Sequence, residues 1–450
     1  MPVFFMTEQG FLLDYATLQQ LAEDVLYHAR KQGATAAEVN VHEGFGLSVT
    51  ARQRDVESIE YNRGKDLGVS VYLGQRIGHA STSDFSRRAL EETVASALAI
   101  ARFTAEDDCA GLPEEALLAK KIPDLDLYHP WRVTTEEAID LAIRCENSAL
   151  SLDARISNSE GASVSTHEAQ FVTANSLGFM GGYPASRHSL SCSVIAEQDD
   201  AMQRDYWYES KRNATTLLTP ESIGEMAARR TLARLGAKKI NTGVFPVIFE
   251  APIAASLLGH FIQAVSGGAL FRKASFLLDH LGKSVFPPFF NLAERPHLPS
   301  GLASAPFDRE GVATSARSVV RDGVLEGYFL SVYSGRKLGM PTTANAGGCH
   351  NLQLSPGEHD LPGLLRLMGR GLLVTELLGY GVNTVTGDYS RGAAGFWVEN
   401  GEIAHPVEEI TIAGNQATMF RNIAAIGNDL WISGAKETGS ILVEGMTVAA

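Results

Sequence analysis

Leu257-Leu258-Gly259-His260-Phe261-Ile262-Gln263-Ala264-Val265-Ser266-Gly267-Gly268, followed by Phe271-Arg272-Lys273-Ala274-Ser275, is the stretch on which the reading of this chain turns. It is an apolar helical stretch set in a half of the chain that otherwise reads as strand. From Gly243 onward the sequence is rich in glycine and β-branched residues, over 244–249, 312–333, 396–399 and 408–412. Such runs, bounded by turn residues, predict a large, mostly antiparallel sheet with few helices.

Upstream the style changes. Residues 15–33 place Leu18, Leu21, Val25, Leu26 and Ala29 at helical spacing, and Gly33 stops the pattern. Strands are expected over 37–51, 56–61, 67–73 and 76–82, the last two joined by a tight turn at Gly74-Gln75, and a helix over 86–103. Ala105-Glu106-Asp107-Asp108, with Pro113 and Pro123 beyond, breaks the periodicity and reads as a connector. Thr134-Thr135-Glu136-Glu137 is a capping-box start for a helix reaching 152. Residues 156–173 and 188–196 alternate like strands, and 220–235 is a helix with proline in its first turn. The fold class is α+β: an N-terminal α/β domain over 1–105, a central connector and α/β segment over 106–240, and a β-rich C-terminal domain over 241–450.

Composition narrows the function. The 450 residues are 45% hydrophobic, enough for substantial cores, and carry a formal net charge of -14. That balance opposes direct nucleic-acid binding, which depends on clustered lysine and arginine. The pairs Arg87-Arg88, Lys120-Lys121, Arg229-Arg230 and Lys238-Lys239 read as solvated helix faces or ends. No window approaches about 18 continuous apolar residues, so no membrane span is expected. The apolar run 1–6 is followed at once by Thr7-Glu8-Gln9 and lacks a charged n-region, so the expected location is cytoplasmic. Cys109, Cys145, Cys192 and Cys349 lie far apart and read as reduced thiols.

The opening stretch resembles the signature helix of the TldD/PmbA family, also called the modulator of DNA gyrase family, and within it the PmbA, or TldE, branch. In the TldD branch this helix reads His-Glu-x-x-x-His, followed by Gly-Leu-Glu-Gly-Asp-Phe and an Arg-Lys pair, and a cysteine near the C-terminus completes a zinc site. Laid on without a gap, the first His falls on Gly259, the Glu on His260 and the second His on Ala264. Zinc takes imidazole, thiolate or carboxylate donors at about 2.0–2.3 Å, three of them in a catalytic site. Gly259 and Ala264 have no donor atom, and the tail 433–440, where the third ligand falls, has no cysteine. The resemblance covers essentially the whole chain. Phe271-Arg272-Lys273-Ala274-Ser275-Phe276 matches both branches, and the Gly-rich stretch 378–395 resembles the family's own. It implies an intracellular protease with two kinds of subunit. The zinc would sit in a TldD-type partner, with no cofactor in this chain and no catalytic residue of its own. The substrates implied are unfolded peptides, including microcin precursors and antitoxins; any modulation of gyrase would run through protein rather than DNA. The family's dimers make a homodimer of the isolated chain an expectation.

His260 reads as a core or interface histidine ahead of a ligand or base. The candidates for a peptide or partner cleft are Arg272, Lys273, Asn345, His350, Asn351, Asp388 and Arg391. Arg272 and Lys273 either grip a carboxylate or the partner subunit, or form a structural salt bridge. Cys349 beside His350 suggests nucleophile and base, yet neighbours on an extended chain point to opposite faces. Asn345 and Asn351 then hold the loop, or the backbone of a peptide added to a strand edge. Asp388 and Arg391 lie in the Gly-rich stretch, which either closes the β-rich core or lines the cleft; it lacks the Gly-x-x-x-x-Gly-Lys pattern of a phosphate loop. Nothing in the spacing of His260, Cys349, His350 and Asp388 requires a second metal site. Two rivals to the non-zinc subunit stand beside it: a self-sufficient hydrolase built on His260 with Cys349 or His350, and a regulatory protein that binds peptides or gyrase without chemistry.

Overall fold

A computed structural model describes residues 10–199 and 201–450. The apolar run 1–6 and the polar residues after it lie outside the described residues.

Helix α1 (Tyr15–Lys31) leads into β1 (Ala36–Arg52), β2 (Asp55–Leu73) and β3 (Arg76–Thr82), followed by α2 (Arg87–Phe103). Beyond the connector come α3 (Thr135–Leu150), β4 (Ile156–Asn175), β5 (Met180–Gly181), β6 (Pro184–Gln198), β7 (Ala201–Lys211) and α4 (Pro220–Ala233). These strands form one antiparallel sheet in the order β3-β2-β1-β4-β6-β7, with β5 on β4. The N-terminal and central stretches are thus joined by the β1–β4 ladder. Strand alternation puts Val39, Val41, Val49 and Ala51 on one face of β1. The first two pack with α1 and α2, the last two with α3 and α4, so all four helices cover the same face.

The expected strands at 56–61 and 67–73 are one strand of 19 residues. Residues 61–66 between them are exposed, and a strand with neither face buried has no hydrophobic alternation to read. The capping box at Thr134 is present, with Thr134 accepting from the Glu137 amide and Glu137 accepting from the Thr134 amide.

The C-terminal half runs β8 (Gly243–Phe249), α5 (Ala251–Ala264), α6 (Gly267–Phe271), β9 (Leu292–Glu294), β10 (Arg317–Arg321), β11 (Val324–Leu325), α7 (Val332–Leu338), β12 (Leu352–Leu354) and α8 (Leu361–Met368). It continues through β13 (Gly371–Leu378), β14 (Asp388–Glu399), β15 (Glu402–Asn415), α9 (Gln416–Arg421), β16 (Ile423–Ile426), β17 (Trp431–Ser433), β18 (Lys436–Thr438) and β19 (Ile441–Ala449). Two sheets result, ordered β11-β10-β9-β12-β18-β17 and β15-β14-β13-β8-β19-β16. Only β12–β18 and β8–β13 are parallel among the described pairs, and an additional β15–β19 pairing turns the second sheet back on itself. Helix α5 contributes Ala254, Leu257, Leu258, Phe261 and Ala264 to a core shared with Leu292, Val319 and Leu352 of one sheet and Val374, Tyr389 and Ile441 of the other.

The β-branched run over 312–333 is divided between β10, β11 and the start of α7. Asp322 and Gly323 take positive φ and turn the chain between β10 and β11, and Ser331 caps α7. Helix α7 also fastens the connector. The Arg336 guanidinium donates to the carbonyls of Cys109, Gly111 and Leu112, and Tyr333 and Lys337 both bind the Asp107 carboxylate.

Candidate functional site

Proline in its first turn and an apolar sequence start α5 directly after β8, and the helix turns its larger side chains inward. Its less buried face carries Pro252, Ile253, Ser256, Gly259, His260 and Gln263. Residues five apart on a regular helix lie about 140° apart, and Ala264, on the far side, is fully buried in the core. A Cβ on Gly259 would meet Lys436 Nζ at 3.4 Å, which places the ammonium from β18 beside the helix. The tail 433–440 therefore does lie against α5, but it brings a cation rather than a thiolate. The family's zinc does not fit these residues. Two positions lack donors, one of them faces the core, and an ammonium stands where a metal ligand would be needed.

His260 makes an edge-to-face contact with Tyr389 at 6.0 Å between ring centroids. Burial first, then the charges of Arg391 and Lys436, pull its pKa down to about 4. The imidazole is consequently neutral at neutral pH. Neither Arg391 nor Lys436 has a carboxylate within ion-pair distance among the described residues. Tyr389 and Arg391 share one face of β14, whereas Asp388 is on the other, where it accepts from Thr386 Oγ1 at 2.6 Å and Asn415 Nδ2 at 3.3 Å. The structure does not bring Asp388 and Arg391 together.

Asn345 and His350 meet at Glu294. Its Oε1 accepts from Asn345 Nδ2 at 2.8 Å and from the His350 amide at 2.7 Å, and Oε2 pairs with Arg317 at 2.6 Å. Asn351 donates to the Arg295 carbonyl at 2.9 Å and to Ser304 Oγ at 2.6 Å, tying down its own loop. With His350 Nδ1 turned to Glu294 at 3.3 Å and burial pushing the Cys349 thiol up, that pair lacks the depressed thiolate a nucleophile needs. Among the described residues no three His, Cys, Asp or Glu side chains converge as metal ligands. Arg272 and Lys273 are exposed beyond α6, Arg272 against the Phe271 ring at 5.3 Å, and neither forms an ion pair among the described residues.

Two openings border the β17–β18 hairpin. A groove of about 870 Å³ runs between residues 208–212 at the end of β7 and residues 431–437 of the β17–β18 hairpin, with Asn351 in its wall. Both β7 and β17 end their sheets, leaving backbone N–H and C=O groups unpaired in the ladder. Beside it, sharing Tyr208 and Trp431, is a cavity of about 390 Å³ lined by Ser256, Thr375, Arg391 and Trp207. Sequence reasoning reached Arg391 but missed Lys436, Ser256, Thr375 and both tryptophans. Lys436 alone was signalled, as a charge in a tail read only for a missing cysteine.

The chain matches the three successive domains of the PmbA/TldA metallopeptidase models: domain 1 over 37–101, the central domain over 128–235 and the C-terminal domain over 242–450. It belongs to the PmbA/TldD metallopeptidase family. The PmbA homolog of Haemophilus influenzae is 48% identical over 433 residues, 96% of each chain. Metalloprotease PmbA of Escherichia coli O157:H7 is 49% identical over 413 residues, 92% of each. Among solved structures, a Bacteroides thetaiotaomicron protein described as a candidate modulator of DNA gyrase superposes with a TM-score of 0.91 at 31% identity, covering 96% of this chain and 98% of that one. TldE from Thermococcus kodakarensis, at 18% identity and a TM-score of 0.82 over 96% of this chain and 100% of that one, shares the fold.

Proposed function

We propose that this chain is the PmbA/TldE-type subunit of a cytosolic metalloprotease, without a zinc site of its own, acting beside a TldD-type chain that carries the metal. The observation behind this reading is the face of α5, where Gly259 lies under the Lys436 ammonium and Ala264 turns into the core. The groove between β7 and β17 supports a role in holding unfolded peptides, since two free strand edges offer an extended backbone hydrogen bonds without regard to sequence. Haemophilus influenzae has a TldD homolog, 21% identical to this chain over 395 residues, as well as the PmbA homolog. Two kinds of family member are therefore present in a relative's organism. Microcin maturation, antitoxin degradation and gyrase modulation through these proteins are the processes the reading extends to. No helix among the described residues is long and apolar enough to cross a membrane, which accords with a cytosolic site of action.

Metal analysis of the purified chain, with peptide cleavage assayed alone and beside a TldD-type subunit, tests the proposal. The expected result is no stoichiometric zinc and no cleavage alone, with cleavage in the mixture. Stoichiometric zinc together with activity in the isolated chain sinks it, and stable capture of gyrase without a TldD-type chain favours the regulatory rival instead.

A further inference from the structure

Twelve buried side-chain nitrogen and oxygen atoms have no hydrogen-bond partner among the described residues. Six of them belong to residues that line one cavity of about 390 Å³: Nε1 of Trp207, Nε of Arg230, which lies 3.5 Å from Asp205 Oδ2, Oγ of Ser256, Oγ1 of Thr375, Nε of Arg391 and Nε1 of Trp431. Every one is able to donate, and the four nitrogens can do nothing else. A buried donor without an acceptor is left with its desolvation uncompensated. Six gathered at one place specify a ligand rich in acceptors.

Charge narrows the ligand further. Asp205 and Glu376 also line the wall, but Arg230 and Arg234 hold them: Arg234 meets Glu376 at 2.5 Å, and Arg230 meets Asp205 at 3.5 Å and Glu250 at 2.8 Å. Arg391 stays outside that network, and Lys436 lies a turn further along the same face of α5, beside Gly259. The cavity shares Tyr208 and Trp431 with the groove, and Trp207 and Trp431 stand 4.8 Å apart between ring centroids. An anion entering from the groove thus meets cations and donors, and the group attached to it meets aromatic rings.

We propose that this cavity binds the C-terminal carboxylate of a peptide lying in the adjacent groove, with Arg391 as its cation, Ser256, Thr375 and Trp431 as donors, and the last side chain against Trp207. The assignment rests on the peptide-holding role proposed above. It gives this face of α5 a task of its own, anchoring one end of the peptide.

Tryptophan fluorescence of the full chain reads the test, because Trp207 and Trp431 border the cavity. A tetrapeptide ending in phenylalanine is titrated as the free acid and as the C-terminal amide, with inorganic phosphate as a third arm. The acid is expected to bind roughly tenfold more tightly than the amide, as befits hydrogen bonds to a charged group. Arg391→Gln should erase that difference by weakening the acid far more than the amide, and Arg391→Lys should restore part of it. Equal binding of acid and amide overturns the carboxylate site and leaves the peptide groove standing. Binding of neither peptide overturns both. Phosphate competing as tightly as the acid overturns the peptide assignment in favour of a simple anion site. If Arg391→Gln does not fold, the comparison of acid with amide on the parent chain, together with Arg391→Lys, still decides.

Discussion

His260 stands on the less buried face of α5 beside Gly259, and its surroundings hold it uncharged. Burial is the larger cause, with Arg391 and Lys436 adding repulsion. In an Arg391→Met, Lys436→Met double variant the ring should titrate above its present value of about 4 yet below 6.5, since burial remains. Histidine ring NMR checks this, and an unchanged titration would show that the two cations do not act on it. Because the folded value lies below the unfolded 6.5, neutral His260 contributes stability that is present above pH 6.5 and lost as pH falls through about 4. His260→Gln should therefore unfold less steeply in acid than the parent, measured by denaturant midpoint against pH.

Elements fail one at a time and for local reasons. Thr134→Ala removes one arm of the α3 capping box, worth about 1 kcal/mol, so amide exchange in the first turn of α3 should quicken roughly fivefold while α4 is unaffected. A Cβ on Gly395 would stand 1.9 Å from the Leu373 carbonyl oxygen, within the β13–β14 ladder. Gly395→Ala should cost about 3 kcal/mol, toward the upper end for overpacking, whereas Gly64→Ala on exposed β2, with nothing within 4 Å, should change little. A urea titration of the pair distinguishes them. These elements also show what the sequence could carry. Helices α1 to α4 were legible because each has one buried stripe and a capping residue. The turn between β14 and β15 takes positive φ at Asn400 and Gly401, residue types that tolerate it. The loss of metal donors was legible because it needs only the identities of Gly259 and Ala264. What stands there instead was not, since Lys436, Thr375 and Trp207 reach α5 from three other elements, and side-chain type alone does not say which strands meet.

At the scale of the whole molecule, the N-terminal sheet and the C-terminal half meet across buried carboxylates. Glu310 accepts from the Val332 amide at 2.8 Å and faces Asp308, Glu38 and the Arg336 guanidinium. Burial above all, with Asp308 and Glu38 adding to it, pushes its pKa up from 4.5 to about 7, against the opposing pull of the Val332 amide and Arg336. The folded state therefore binds the proton more tightly. Its contribution is fully present below pH 4.5 and declines as pH rises through about 7. Glu310→Gln, which keeps an oxygen for the Val332 amide, should match the parent near pH 4 and exceed it at pH 8 by on the order of 2–3 kcal/mol. Thermal unfolding across that range measures the difference, and parallel curves at both ends would remove Glu310 as its source.

The ladder between β1 and β4 has a consequence during synthesis. Thr50 and Ser163, which share a hydrogen bond across it, are 113 residues apart. At about 5–20 residues per second, β1 leaves the ribosome roughly 6–23 seconds before its partner strand exists. Through that interval β1 has β2 on one side and an open row of amides and carbonyls on the other, beside a half-built hydrophobic face. The newborn chain is thus itself an unfolded segment with an adhesive border, a natural client for chaperones until β4 arrives.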